Sequence, residues 1–148
     1  MKVTILGCQS PYPGAGGATP GYLLQTDQGS ILIDCGSGVF AQLEKHLHFN
    51  ELDAVIYSHL HHDHMADHLI LQYAVFIAMI RGERKQLMMV YAPNQPKEMA
   101  DRLPYSNGFN VRTIDDRTEL DICGVHIAFL RTDHGIPCYA MKITNGGK

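Results

Sequence analysis

The chain has 148 residues, 45% of them hydrophobic and 18% charged, with a formal net charge of −3. That composition describes one ordinary globular domain with a real core, and it excludes a disordered or fibrous chain. The slight acidity gives no general basic footprint for nonspecific nucleic-acid binding. The longest nearly apolar stretch, residues 69–80, is too short to span a bilayer, so no membrane partner is expected. The four cysteines, Cys8, Cys35, Cys123 and Cys138, lack C-x-x-C spacing, and the chain opens on a strand-like segment in place of a leader. Free thiols in a reducing cytoplasm are therefore expected.

In chain order, residues 2–6 predict a first strand. Residues 7–21 hold Pro11, Pro13, Gly14, Gly16, Gly17 and Pro20, too irregular a mixture for helix or strand. This loop lacks the G-x-G-x-x-G spacing of a dinucleotide site and leads into a strand, so it is no phosphate cradle. Residues 21–26 and 30–34 read as a hairpin around Asp27-Gln28-Gly29. Ser37 is placed to cap a helix over residues 39–47, where Val39, Phe40, Leu43 and Leu47 recur at helical spacing. Residues 54–57 form a buried strand. Residues 66–81 predict a helix that is apolar nearly all round and ends at Arg81-Gly82. Such a helix must be covered on most sides or join an interface. Strands follow at 87–92, 111–115, 119–122, 125–131 and 139–144, with a short helix over 96–103. The pattern is α/β with a mixed sheet, and no repeat or linker interrupts it.

Nine histidines are the compositional oddity, and five of them lie between His59 and His68. The run His59-Leu60-His61-His62-Asp63-His64 follows the strand at 54–57. Side chains alternate along an extended chain, so His59 and His61 can point the same way from its end. Asp63 and His64 come where the chain turns into the next helix and can face a second point nearby. Imidazole and carboxylate together suit zinc, manganese, iron or nickel. A merely solvated, His-rich loop explains this crowding poorly, because it directly follows a core strand.

The run matches the H-x-H-x-D-H signature of the metallo-β-lactamase superfamily. With the strand and glycine Val3-Thr4-Ile5-Leu6-Gly7, the segment Ile31-Leu32-Ile33-Asp34-Cys35-Gly36 and the turn Thr132-Asp133-His134, the chain resembles the ribonuclease Z-like branch of small bacterial phosphodiesterase-type hydrolases. The resemblance implies an αββα sandwich in which His134 supplies a third imidazole beside His59 and His61. Three imidazoles with an open fourth position are the layout of a catalytic zinc. Asp63 and His64 would then hold a second Zn2+, with Mn2+ or another divalent ion as the alternative, and Asp63 would also act in catalysis. Asp34 is expected to orient a ligand from behind or to serve a simple turn. Asp67 and His68 could orient ligands or reach substrate, although a surface or supporting place is the leading expectation for His68.

On this resemblance the substrates are phosphodiesters, such as RNA 3′ ends or cyclic nucleotides, cleaved by a metal-bound hydroxide. Acyl chemistry on lactones or thioesters uses the same platform, and a metal-binding module without activity is the third possibility. In the resembled family a bridging carboxylate and a further histidine come from strands past position 148. The expectation is thus a single domain over 1–148, cut short at its C-terminal end, supplying mainly the N-terminal sheet-and-helix half and weakly active alone. A homodimer through or near the 66–81 helix is expected to cover that helix.

Overall fold

The computed structural model describes residues 1–146. Gly147 and Lys148, the end of the turn expected at 145–148, lie outside the described residues. The first three strands, β1 (Lys2–Gly7), β2 (Gly21–Gln25) and β3 (Ser30–Ile33), pair antiparallel. The next three, β4 (Ala54–Ile56), β5 (Met88–Ala92) and β6 (Phe109–Thr113), add in parallel, giving a six-stranded sheet in the order β1-β2-β3-β4-β5-β6. Parallel pairing needs crossovers. They are supplied by α1 (Val39–Leu43), by α2 (His62–Met65) followed by α3 (His68–Ile80), and by α4 (Lys97–Ala100).

The central strand β4 is buried at all three residues, as expected of a strand covered on both faces. On one face Leu23, Leu32, Val55 and Val90 pack with Val39, Leu43, Leu71 and Val75 of the helices. On the other, Leu24, Ile31, Ala54 and Ile56 meet Val125, Ile127, Phe129 and Tyr139 of a second, antiparallel sheet. That sheet consists of β7 (Glu119–Ile122), β8 (Val125–Arg131) and β9 (Tyr139–Thr144). The described chain thus builds helix, sheet and sheet as three successive layers. The single mixed sheet expected from the strand pattern is in fact two sheets. The last three strands follow one another as antiparallel hairpins, through a tight turn and then the loop at 132–138, and β8 alternates buried and less buried positions, so they pair with one another and bury one face.

Three elements differ from the sequence expectation. The first helix stops at Leu43, and Ser37 does not cap it. Gly38 takes the cap position at a left-handed φ of 83°, and the carboxylate of Asp67 accepts the Phe40 N–H at 3.0 Å. The helix expected at 66–81 is the thirteen-residue α3, and a separate single turn, α2, precedes it within the histidine run. The helix expected at 96–103 ends at Ala100 and runs on to Leu103 only as turns, with Arg102 N–H donating to the Met99 carbonyl and Leu103 N–H to the Ala100 carbonyl, each at 3.1 Å; the Gln72 amide of α3 then donates to the carbonyls of Arg102 at 2.6 Å and Leu103 at 3.0 Å. On α3, Leu71, Val75 and Ala78 face inward, while Leu69, Ile70, Tyr73 and Ile80 are each more than half exposed. Among the described residues no helix is long and apolar enough to cross a membrane.

Candidate metal centre

Strands β3 and β4 run parallel with Ile33 beside Ile56, so both end at the same edge of the sheet. The edge past the carboxyl ends of parallel strands is where such sheets place their ligand sites. Past that edge β4 continues through Tyr57 and Ser58 into His59 and His61, and α2 begins at His62. His134 arrives from the other sheet. The loop carrying it is closed by Thr132 N–H donating to the Cys138 carbonyl at 2.9 Å, and it is tied to the motif where Tyr139 N–H donates to the Ser58 carbonyl at 3.0 Å. The His134 ring centroid then lies 4.7 Å from that of His59 and 4.9 Å from that of His61.

One ligand nitrogen from each of His59, His61 and His134 lies within 4.8 Å of the others. His61 Nδ1 and His134 Nε2 are 3.0 Å apart. Donors at ~2.0–2.1 Å around a tetrahedral ion stand roughly 3.3 Å from one another, so this spacing suits one divalent ion. Burial first, and then the neighbouring imidazoles of His64, His61 and His134, push the His59 pKa down to about 4. His59 is therefore neutral near pH 7 and keeps a lone pair for a cation. The donor set fits zinc well, because neutral imidazoles are among its commonest ligands.

Asp63 and His64 form the neighbouring pair. His64 Nε2 lies 3.8 Å from Asp63 Oδ2, and the His64 ring sits 3.9 Å, centroid to centroid, from that of His59. Ser10 Oγ donates to Asp63 Oδ2 at 2.8 Å, and Thr19 Oγ1 donates to the Asp63 carbonyl at 2.6 Å. Gly36 is required at this approach, since a Cβ there would collide with the Asp63 carbonyl and Thr19 Oγ1. Asp34, buried and held at a left-handed φ of 56°, accepts the Ser58 N–H at 2.8 Å and faces His64 Nδ1 at 2.8 Å. Burial pulls the His64 pKa down, but the hydrogen bond to Asp34 and the charges of Asp34 and Asp63 outweigh it, leaving a net rise.

Two residues expected near the chemistry lie elsewhere. Asp67 points its carboxylate at the start of α1, where it accepts the Phe40 N–H; it serves as that helix's cap and orients no histidine of the cluster. His68 is fully buried, neither on the surface nor at the site. The Leu103 carbonyl, 3.0 Å from its Nε2, can only accept, so Nε2 carries the proton and Nδ1 accepts from the Tyr57 hydroxyl at 2.7 Å. With both nitrogens used, His68 pins the core and has no lone pair for a ligand. Conversely, Ser10, Pro11 and His62, which the motif did not single out for a role, join His59, His61, Asp63, His64 and His134 around a cavity of about 460 Å³. Ser58, outside the signature, also touches the site through Asp34 and His59. The signal for it was its place one residue before His59, on a strand paired in parallel with the one ending at Asp34.

This fold and this cluster define a class. Residues 14–141 match the profile of the metallo-beta-lactamase superfamily, and the chain belongs to that superfamily of metal-dependent hydrolases. Among its relatives, it is 38% identical over 146 residues to the probable metallo-hydrolase YhfI of Bacillus subtilis, covering 99% of this chain and 60% of that protein. It is 27% identical over 144 residues to a ribonuclease Z of Methanopyrus kandleri, covering 97% of this chain and 50% of that one. The crystal structure of YhfI superposes with a TM-score of 0.93 at 38% identity, over 97% of this chain and 58% of the other. The short form of human tRNase Z shares the fold, with a TM-score of 0.75 at 21% identity over 100% of this chain and 66% of that one. The chain thus spans about half to three-fifths of the length of these curated relatives.

Proposed function

We propose that the protein is a zinc-dependent hydrolase of phosphodiesters, with His59, His61 and His134 holding one ion and Asp63 and His64 facing a second. The observation that carries this reading is the convergence of three imidazoles from two different sheets on one point. A divalent ion held there would supply activated water near neutral pH and polarise a phosphoryl group. Around it, Asp63 is restrained by Ser10 and Thr19, and its carboxylate accepts the proton of the attacking water. Asp34 holds the His64 ring so that Nε2 faces Asp63. Through Ser10 and Pro11 the glycine- and proline-rich loop lines the cavity beside the histidines. The likeness to a protein named ribonuclease Z, over 97% of this chain, supports phosphodiesters over acyl substrates.

Among the described residues Asp63 and His64 give the second position two protein donors, fewer than durable sites supply. One tightly held ion per chain, a weak second one and slow turnover are therefore expected. The test is metal analysis together with hydrolysis of bis(p-nitrophenyl) phosphate, a cyclic nucleotide, an RNA with a 3′ extension and a lactone. Cleavage of phosphodiesters but not the lactone supports the proposal. Cleavage of the lactone alone would move the chain to acyl chemistry, and metal binding with neither activity would make it a binding module.

The free thiols fit a cytoplasmic setting, as the cysteine spacing suggests. The exposed residues Leu69, Ile70, Tyr73 and Ile80 on α3, a helix without a single Asp, Glu, Lys or Arg, fit a homodimer interface. Phe76→Asp or Ile77→Asp should break that assembly or lower solubility, read by sedimentation. A wild-type chain that sediments as a clean monomer at high concentration would rule the dimer out.

A further inference from the structure

We propose that Ser58 is a positioning residue that fixes the tautomer of His59, through a hydrogen-bond relay anchored on the buried carboxylate of Asp34. The proposal deepens the metal-site reading and rests on it for its consequence, since His59 is taken as a ligand.

The relay follows from counting donors. Asp34 accepts the Ser58 N–H on Oδ1 at 2.8 Å and has His64 Nδ1 2.8 Å from Oδ2. Ser58 Oγ lies 2.8 Å from Asp34 Oδ2 and 3.1 Å from Oδ1. A carboxylate only accepts, and a serine hydroxyl has one proton, so that proton goes to Asp34. Ser58 Oγ also lies 3.0 Å from His59 Nδ1. With its proton already committed, the hydroxyl can meet this nitrogen only as an acceptor, so Nδ1 must carry the hydrogen of the neutral ring. Nε2 is then the single lone pair of His59, and it is the nitrogen free to join His61 and His134.

The same carboxylate treats His64 alike. Asp34 Oδ2 takes the Nδ1–H of His64 and leaves Nε2 facing Asp63. One buried acid at the end of β3 therefore sets the ring orientation of a histidine in each half of the cluster, touching one directly and reaching the other through Ser58. The parallel pairing of β3 and β4 makes this possible. Asp34 N–H donates to the Ile56 carbonyl at 2.9 Å, which puts the Asp34 side chain beside the backbone of Ser58 two residues later. Burial keeps water from replacing the relay: Asp34 is 3% exposed and His59 5%.

The test is long-range 1H–15N correlation on the metal-free, 15N-histidine-labelled 148-residue chain at pH 7.5, alongside zinc competition against a chromophoric chelator. In the wild type His59 should carry its proton on Nδ1. Ser58→Ala should let the Nε2–H tautomer appear and weaken zinc binding by about ten- to a hundredfold, the usual cost of losing a group that orients a ligand from behind. Ser58→Thr keeps the hydroxyl and should restore both readouts, which a purely structural loss would not do. Circular dichroism checks that Ser58→Ala folds, and the wild-type spectrum tests the relay even if it does not. A wild-type His59 protonated on Nε2, or a folded Ser58→Ala chain with unchanged tautomer and zinc affinity, would overturn the proposal. Failure of the metal-site reading would look different: His59→Ala would leave zinc affinity untouched while the tautomer spectrum still judged the relay.

Discussion

His59 and His68 stand nine positions apart, are both buried, and both have their pKa pushed down to about 4. By burial and proton affinity they look alike, yet one sits in the cluster and the other fastens the core. The difference lies in where their nitrogens go. His68 uses both, on the Tyr57 hydroxyl and the Leu103 carbonyl, inside a sealed interior. His59 uses one on Ser58 and turns the other toward two more imidazoles at an open mouth. A perturbed histidine is thus a functional candidate only when a lone pair is left over.

The sharpest way to break this contrast is to remove each ring. His59→Ala should lower zinc affinity by on the order of a hundredfold or more, with little loss of stability in the metal-free chain, measured by chelator competition and chemical denaturation. His68→Ala should do the reverse. It leaves the Tyr57 hydroxyl buried without its partner, takes one of two donors from the Leu103 carbonyl and opens a cavity, at a cost of about 2–4 kcal/mol in unfolding, with zinc affinity nearly unchanged in the fraction that folds. Equal effects of the two substitutions on zinc would erase the distinction.

Acid should expose what the two rings share. Each has a folded pKa near 4, below the ordinary value of 6.5, with burial the leading cause. The unfolded chain therefore binds more protons than the folded one between those values. Their contribution to stability is complete above about pH 6.5 and is lost as pH falls toward about 4. Denaturation of the metal-free chain across that window should show stability falling with acid, and a flat profile would refute the assignment. The smallest expected effect belongs to Asp67. Asp67→Ala removes the cap on α1 and should cost about 1 kcal/mol without altering zinc binding.

The site was legible in the sequence where its residues are neighbours along the chain. His59, His61, Asp63 and His64 come from one strand end and one turn of helix, so spacing alone predicted their grouping. His134, 73 positions from the His61 ring it meets, was reached only through the family resemblance. The family resemblance implied that the loop of residues 7–21 borders the site, but the contacts of Ser10 and Ser58 left no signal, for a physical reason. Ser10 reaches Asp63 across 53 positions by a loop that folds back, and Ser58 matters only because β3 and β4 pair in parallel. His68 and Asp67 were misplaced because α3 is apolar on nearly every side, so its periodicity could not say which face turns inward. Strand and helix patterning gave the α/β class but only a single mixed sheet, because apolar runs do not reveal hairpin pairing; the two-sheet sandwich was reached through the family resemblance.

The central claim is that imidazoles from the two sheets share one ion, and His134 is the residue that tests it. The measurement is a Co2+ titration of the wild-type chain and of His134→Ala, following the visible absorption of the bound ion, with circular dichroism confirming the fold. The wild type should give intense bands of a four-coordinate site saturating at one tightly bound ion per chain. His134→Ala should lose that spectrum and bind on the order of a hundredfold more weakly. An unchanged spectrum and affinity in a folded His134→Ala chain would contradict the claim, because the second sheet would then contribute nothing to the metal.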